Sequence, residues 1–126
     1  MNKDTQITAN FKFGEFWCCG QIPPQQYWEN IINLAIELQD LRDIVGRPIT
    51  ITSGYRTKEH NKAVGGARNS QHLLGKAADI KVKGMHSREV AIYVARYTNF
   101  MGIGMSLNTN SITHVDTRSN LVLWYY

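Results

Sequence analysis

Between residues 45 and 49 the apolar pattern changes its period, and that change restricts the chain to folds in which a helix feeds directly into a strand. Trp28, Ile31, Ile32, Ala35, Leu38, Leu41, Ile44 and Val45 recur at three- and four-residue spacing, which predicts an amphipathic helix from residue 25 to about 45. Gly46 and Pro48 end it. The residues that follow, Pro48-Ile49-Thr50-Ile51-Thr52, are alternating and β-branched, so they read as a strand that stops at Ser53-Gly54.

The same two periods organise the rest. Ala77–Val82 returns to a strand pattern, and Ser87 is placed to cap a second helix carrying Val90, Ile92, Val94 and Ala95. Three short strands are expected at residues 102–105, 112–116 and 121–125, separated by turn residues such as Asn108 and Asn110. The opening segment, through Pro23-Pro24, has no sustained period. Its Phe11, Phe13, Phe16 and Trp17 are nevertheless too apolar for a free tail and are expected to wrap onto the core. Two main helices beside a small, mainly antiparallel sheet make an α+β fold. A chain of 126 residues buries one core, so residues 1–126 are expected to form a single domain with a single site.

Charge excludes little and points nowhere in particular. The net charge of +4 favours anionic surroundings, but the basic residues are scattered and no nucleic-acid motif or basic helix is present, so no nucleic-acid partner is expected. Cys18 and Cys19 are adjacent, and sequence neighbours rarely bridge each other, so they read as two partly buried thiols. Residues 1–20 lack the basic and continuously apolar regions of a signal peptide, and no apolar run reaches membrane-spanning length, so the expectation is a chain without an export address or membrane insertion.

Residues 54–76 are polar and glycine-bearing, and a connection of this length in a small domain is usually functional. It runs into Asn69-Ser70-Gln71-His72-Leu73-Leu74-Gly75-Lys76-Ala77-Ala78-Asp79. His72 and Asp79 supply one imidazole and one carboxylate, part of the donor set of a catalytic zinc site, and a third ligand is needed from elsewhere. Among His60, His72, His86 and His114, only His114 sits in a strand-like segment beside a carboxylate, and residues two apart in a strand face the same way, so His114 and Asp116 are presented together. Gly75 permits a sharp turn after His72, and Ala77 and Ala78 allow close strand packing. Any one of these histidines taken alone reads first as an ordinary surface or core imidazole.

Taken together, Ser70-x-His72-x-x-Gly75-x-Ala77-x-Asp79 and His114-x-Asp116 resemble the zinc D,D-peptidases of peptidoglycan, the family of D-alanyl-D-alanine carboxypeptidases and phage endolysins that shares its zinc site with the hedgehog signalling domain. Ser53-Gly54-Tyr55-Arg56-Thr57, His60-Asn61 and Val64-Gly65-Gly66 are similar to the family's arginine-bearing loop, and Leu123-Trp124 resembles the close of its compact members. The resemblance implies a hedgehog-like α+β fold in which His72, Asp79 and His114 bind one Zn²⁺ per chain, with Arg56 binding substrate and taking part in catalysis. Ser70 and Gln71, beside a ligand, would orient it or contact substrate, with a purely structural turn as the alternative for Ser70. His60 and His86 are read as solvated or helix-associated.

The chain departs from the pattern at one position. Many members carry an acidic general base three residues before the second metal histidine, and here that residue is Ser111. Asp116 then becomes the candidate base, its alternative being a carboxylate that supports a ligand histidine or pairs with Arg118. The implied activity is zinc-dependent hydrolysis of peptidoglycan stem peptides, as carboxypeptidase or cross-link endopeptidase, by a monomer acting on the bacterial wall. A phage lysin released from the cytoplasm would suit the sequence. The competing expectation is a non-catalytic zinc-containing wall-binding module, although a closed structural zinc would normally have a fourth protein ligand and none is evident.

Overall fold

The computed structural model of the chain describes residues 1–108 and 111–126, so the turn expected at Asn110 lies outside the described residues. The opening segment forms a small antiparallel pair, β1 (Gln6–Thr8) and β2 (Phe11–Lys12), followed by a 3₁₀ turn over Phe13–Phe16. Phe11, Phe13 and Phe16 are buried in the core, as their apolar character requires. Cys18 and Cys19 are both free and both exposed, a correction to the partly buried thiols expected: they follow the last aromatic anchor and face solvent.

The long helical stripe divides into a 3₁₀ turn at Gln25–Tyr27, directly after Pro24, and α1 (Trp28–Val45). Its buried face is Ile31, Leu34, Ala35, Leu38 and Leu41, whereas Ile44 is 48% exposed. Each large side chain buried there contributes about 1.5–3 kcal/mol. Gly46 closes α1 in the left-handed region (φ 64°), donating its N–H to the Arg42 carbonyl.

β3 (Ile49–Ser53) follows, and the connection after it is not a plain loop. Thr57 caps a short helix, α2 (Lys58–Ala63), by accepting the His60 N–H at 3.1 Å, and a 3₁₀ turn covers Gln71–Leu74. Only Asn61 is buried on α2, which is why no apolar period announced it. β4 (Ala77–Val82) leads to α3 (Ser87–Tyr97). The cap of α3 is His86 rather than Ser87: the imidazole Nδ1 accepts the Arg88 N–H at 3.1 Å, and Glu89 accepts the His86 N–H at 3.1 Å. Ser87 is fully buried, its hydroxyl engaged by the Ile112 carbonyl and Thr113 Oγ1, so it is not free to cap.

β5 (Gly102–Met105), β6 (Thr113–Asp116) and β7 (Val122–Tyr125) complete a five-stranded sheet of order β3-β4-β6-β5-β7. Only the β5–β7 pair is parallel. Strand alternation gives the sheet two unlike faces. Ala78, Ile80, Val82, Ile103 and Val115 join the buried faces of α1 and α3 in one core. The opposite face carries Ala77, Asp79, Gly102, Gly104, His114, Asp116 and Trp124. Among the described residues no helix is long and apolar enough to cross a membrane.

Candidate metal centre

Register assembles the site. Asp79 on β4 lies directly opposite His114 on β6, and Ala77 lies opposite Asp116, so two cross-strand pairs on one face supply both carboxylates and one imidazole. His72 arrives from the 3₁₀ turn, where Ser70 Oγ accepts its backbone N–H at 3.2 Å. Gly75, at φ 69°, then swings the chain into β4. The seven-residue spacing of His72 and Asp79 is therefore one tight turn, one left-handed glycine and the start of a strand.

The two imidazoles are held from behind. A carbonyl only accepts, so the 2.7 Å contact from His72 Nδ1 to the Gly54 carbonyl fixes the proton on Nδ1 and turns Nε2 toward Asp79 Oδ2, 3.4 Å away. His114 Nε2 bonds Asp116 Oδ2 at 2.7 Å, leaving Nδ1 facing Asp79 Oδ1 at 3.1 Å. One ligand atom each from His72, Asp79 and His114 lie within 4.8 Å of one another, and among the described residues they are the one such His, Cys, Asp and Glu cluster. Tetrahedral zinc with bonds of about 2.0–2.1 Å needs donors about 3.3 Å apart. The 3.4 Å from His72 Nε2 to Asp79 Oδ2 and the 3.1 Å from His114 Nδ1 to Asp79 Oδ1 lie near that value, although they run to the two different oxygens of the carboxylate.

Electrostatics point the same way. Burial acts to raise the Asp79 carboxyl pKa, but hydrogen bonds and charge from His114 and His72 outweigh it and hold Asp79 well below the usual carboxylate range. Burial acts to lower His114, and Asp116 and Asp79 on either side of the ring outweigh it, raising its pKa. A cation is favoured where Nδ1 meets Asp79. A proton supplies one; a divalent metal would replace that proton and bind all three groups.

Asp116 is fully buried and both its oxygens are occupied. Oδ1 accepts from the Arg118 backbone N at 3.1 Å and from Nε at 2.8 Å, while Oδ2 accepts from Arg118 Nη2 at 2.6 Å as well as from His114. Burial acts to raise its pKa, and Arg118 and His114 bring it far below the usual range. Two glycines on β5 make room: a Cβ at Gly102 would fall 2.1–2.2 Å from the Asp116 carboxylate atoms, and one at Gly104 would fall 2.6 Å from the Trp124 ring. Trp124 crosses Gly104 to pack on His114, with ring centroids 4.9 Å apart, and Arg118 lies 5.2 Å from the Trp124 ring.

Arg56 reaches the same group. Its Nη2 is 3.3 Å from Asp79 Oδ2, Nε donates to Ser53 Oγ at 3.1 Å, and Nη1 donates to Asn61 Oδ1 at 3.3 Å. Asn61 is buried and anchored by its own donation to the Ala67 carbonyl at 2.9 Å. Ser70 lines the adjoining cleft while capping the His72 turn. Gln71 is half-buried, and its backbone carbonyl accepts from Lys76 N; among the described residues no hydrogen bond ties its side chain to the group. His60 lies on α2 and His86 caps α3, both outside the cluster. Ser111 precedes β6 with φ 58° and offers no titratable group.

Several contributors carried no sequence signal. Gly102 and Gly104 matter only because β5 pairs with β6 and β7. Tyr126 lies beyond every motif, yet its hydroxyl donates to the Ile112 carbonyl at 3.4 Å, and burial together with the negative charge of Asp79 pushes the phenol up to about 12.

Comparison with known proteins agrees with this geometry. The zinc D-Ala-D-Ala carboxypeptidase of Streptomyces albus G is 30% identical over 124 residues, an alignment that takes in 91% of this chain and 48% of that protein. The chain thus spans about half the length of the curated relative it matches. The Peptidase M15 family model matches residues 9–116, which include Arg56, His72, Asp79, His114 and Asp116, and the chain belongs to the peptidase M15 family.

Proposed function

We propose that this chain is a zinc peptidase that hydrolyses peptide bonds in peptidoglycan stem peptides, of the D-Ala-D-Ala carboxypeptidase class, working as a monomer with one zinc held by His72 Nε2, Asp79 and His114 Nδ1. The observation that carries it is the convergence of His72 Nε2, the Asp79 carboxylate and His114 Nδ1, with the far nitrogen of each ring held by Gly54 or Asp116, on a sheet face where the described residues supply no fourth ligand. Three protein ligands and an open position are the pattern of catalytic rather than structural zinc.

Bound there, zinc would polarise a substrate carbonyl and lower the pKa of its water. The chain's own residues supply orientation. Arg56, fixed by Ser53 and Asn61, offers a planar cation beside Asp79 to hold a substrate carbonyl or carboxylate. Ser70 holds the His72 turn and lines the adjoining cleft, and a substrate contact for Gln71, next in the chain, rests on the family resemblance. Of the two roles open to Asp116, positioning is the better supported: it lies across the imidazole from Asp79, and acting as base would require it to release Arg118.

A second reading, a zinc-containing wall-binding module without turnover, draws support from Ser111 standing three residues before His114 and from the full engagement of Asp116. One experiment separates them: zinc-loaded protein is given purified peptidoglycan and a synthetic stem peptide ending in D-Ala-D-Ala, with zinc content measured on the same sample. Chelator-sensitive release of D-Ala supports the carboxypeptidase, and release of cross-linked peptides without D-Ala supports an endopeptidase. Stoichiometric zinc with neither product leaves the binding module. Asp116→Asn run alongside reads its role: weakened zinc binding supports positioning, whereas full zinc with lost turnover would make it the base.

A further inference from the structure

Next to the metal centre runs a cleft of ≈ 920 Å³ lined by Tyr27, Tyr55, Lys58, Lys62 and Arg68, with Arg56 shared between it and Asp79. Ligand sites commonly measure about 300–1,000 Å³, so there is room for several peptide residues.

Its charge is one-sided. Lys58 and Lys62 stand four residues apart on α2 and so share a face, and Arg68 joins them from the connection beyond α2. All three are exposed, none has an ion-pair partner among the described residues, and no described Asp or Glu lines the cleft. Glu59, next to Lys58 on α2, does not line the cleft, although its charge reaches the Tyr55 phenol. The same cleft has an aromatic wall: the Tyr27 and Tyr55 rings lie 5.9 Å apart, inclined at 34°, with Leu73 and Leu74 beside them. An anionic, extended ligand fits both features, whereas a neutral or purely apolar one would leave the cations unused.

We infer that this cleft is a subsite for the carboxylate-bearing stretch of the peptide substrate, in which Lys58, Lys62 and Arg68 pair with carboxylates that take no part in the reaction while Tyr27 and Tyr55 pack along the backbone. The inference rests on the peptidase reading, and Arg56 supplies the link, since a peptide held at Arg56 has this cleft as its continuation. A peptide that carries a free carboxylate within its length, away from the bond that is cut, is the chemistry the cleft selects.

The test uses two synthetic stem peptides that differ only in that internal carboxylate, free in one and a carboxamide in the other. Zinc-loaded wild type, the triple variant Lys58→Gln/Lys62→Gln/Arg68→Gln and the remote control Lys83→Gln are compared for kcat and KM at low and high salt. In parallel, binding of fluorescent versions to the same proteins is followed by anisotropy. The expected result is a preference of about tenfold for the free carboxylate, carried by KM, falling with salt and lost in the triple variant but not in Lys83→Gln. Equal KM and equal binding for the two peptides in wild type would overturn the inference, as would a preference that survives the triple substitution. Absence of cleavage in every protein would count against the peptidase reading alone, since the anisotropy comparison still decides the cleft.

Discussion

Replacing Gly102 by alanine should damage the metal centre without touching any residue that faces the metal. The backbone of Gly102 is not in the left-handed region, so alanine meets no conformational objection of its own. The obstacle is the close approach: the new Cβ would lie 2.1–2.2 Å from three atoms of the Asp116 carboxylate, where contacts below 3.0 Å are essentially never seen. Asp116 has to move, and its bonds at 2.6, 2.7 and 2.8 Å to Arg118 Nη2, His114 Nε2 and Arg118 Nε are what it would give up. Because the carboxylate is fully buried, loss of partners costs about 3 kcal/mol, the lower end for broken buried ion pairs. At about 4 °C per kcal/mol for a domain of this size, Tm should fall by about 12 °C. Zinc affinity should drop about 10–100-fold as His114 loses the partner that orients it. Thermal unfolding followed by circular dichroism and a competitive zinc titration would measure both. Gly20→Ala is the control: it is strained at φ 69° but has nothing within 4 Å, so it should cost only about 1 kcal/mol and leave zinc binding unchanged. A Gly102→Ala protein with wild-type Tm and zinc affinity would refute the account of β5 given above.

Further expectations concern the ligands, the arginine clamp and pH. His72→Ala should abolish stoichiometric zinc by elemental analysis, whereas His60→Ala, outside the cluster, should retain it. Chelation of the wild type should lower Tm by about 16 °C where zinc is present at about 1,000 times its Kd, since that ligand excess is worth about 4 kcal/mol. Asn61→Ala removes the acceptor of Arg56 Nη1 and should raise KM for the stem peptide about five- to tenfold with zinc content unchanged. In metal-free protein the depressed Asp116 pKa contributes stability above the unfolded value of about 3.9 that is lost as pH falls toward the folded value, so urea midpoints should decline in acid, and less so in Asp116→Asn. The raised His114 pKa acts in the opposite sense: its contribution is complete below about 6.5 and lost as pH rises through the folded value, so metal-free protein should weaken toward alkaline pH while zinc affinity rises.

What was legible in the sequence was whatever local periodicity or spacing encodes. The stripe from Ile31 to Leu41 and the alternation of Ile49 to Ile51 defined α1 and β3, and the strand patterns at 77–82 and 102–105 match the structure residue for residue. The motif residues His72, Asp79 and His114 also meet as one cluster. The remainder depends on contacts between distant segments. Helix α2 buries Asn61 alone and so carries no apolar pattern, and His86 takes the cap from Ser87 because that hydroxyl is claimed by Ile112 and Thr113 far along the chain. Asp116 shows the same limit in the site. Its place two residues after His114 was readable, but the occupation of both oxygens by Arg118 and His114 becomes visible only once the chain folds back across Gly102.

The direct opposition of Asp79 and His114 across β4 and β6 has a consequence for folding fidelity. A slip of a single residue in this pairing would turn one strand over relative to the other, so that with β4 in place His114 would enter the helical layer and Val115 would leave the core. Such a chain could keep much of its secondary structure and yet have no place for a metal. Bound zinc is therefore a tally of correctly paired molecules: in a preparation recovered from denaturant, the fraction of chains holding the ion reports the fraction whose strands found the right alignment.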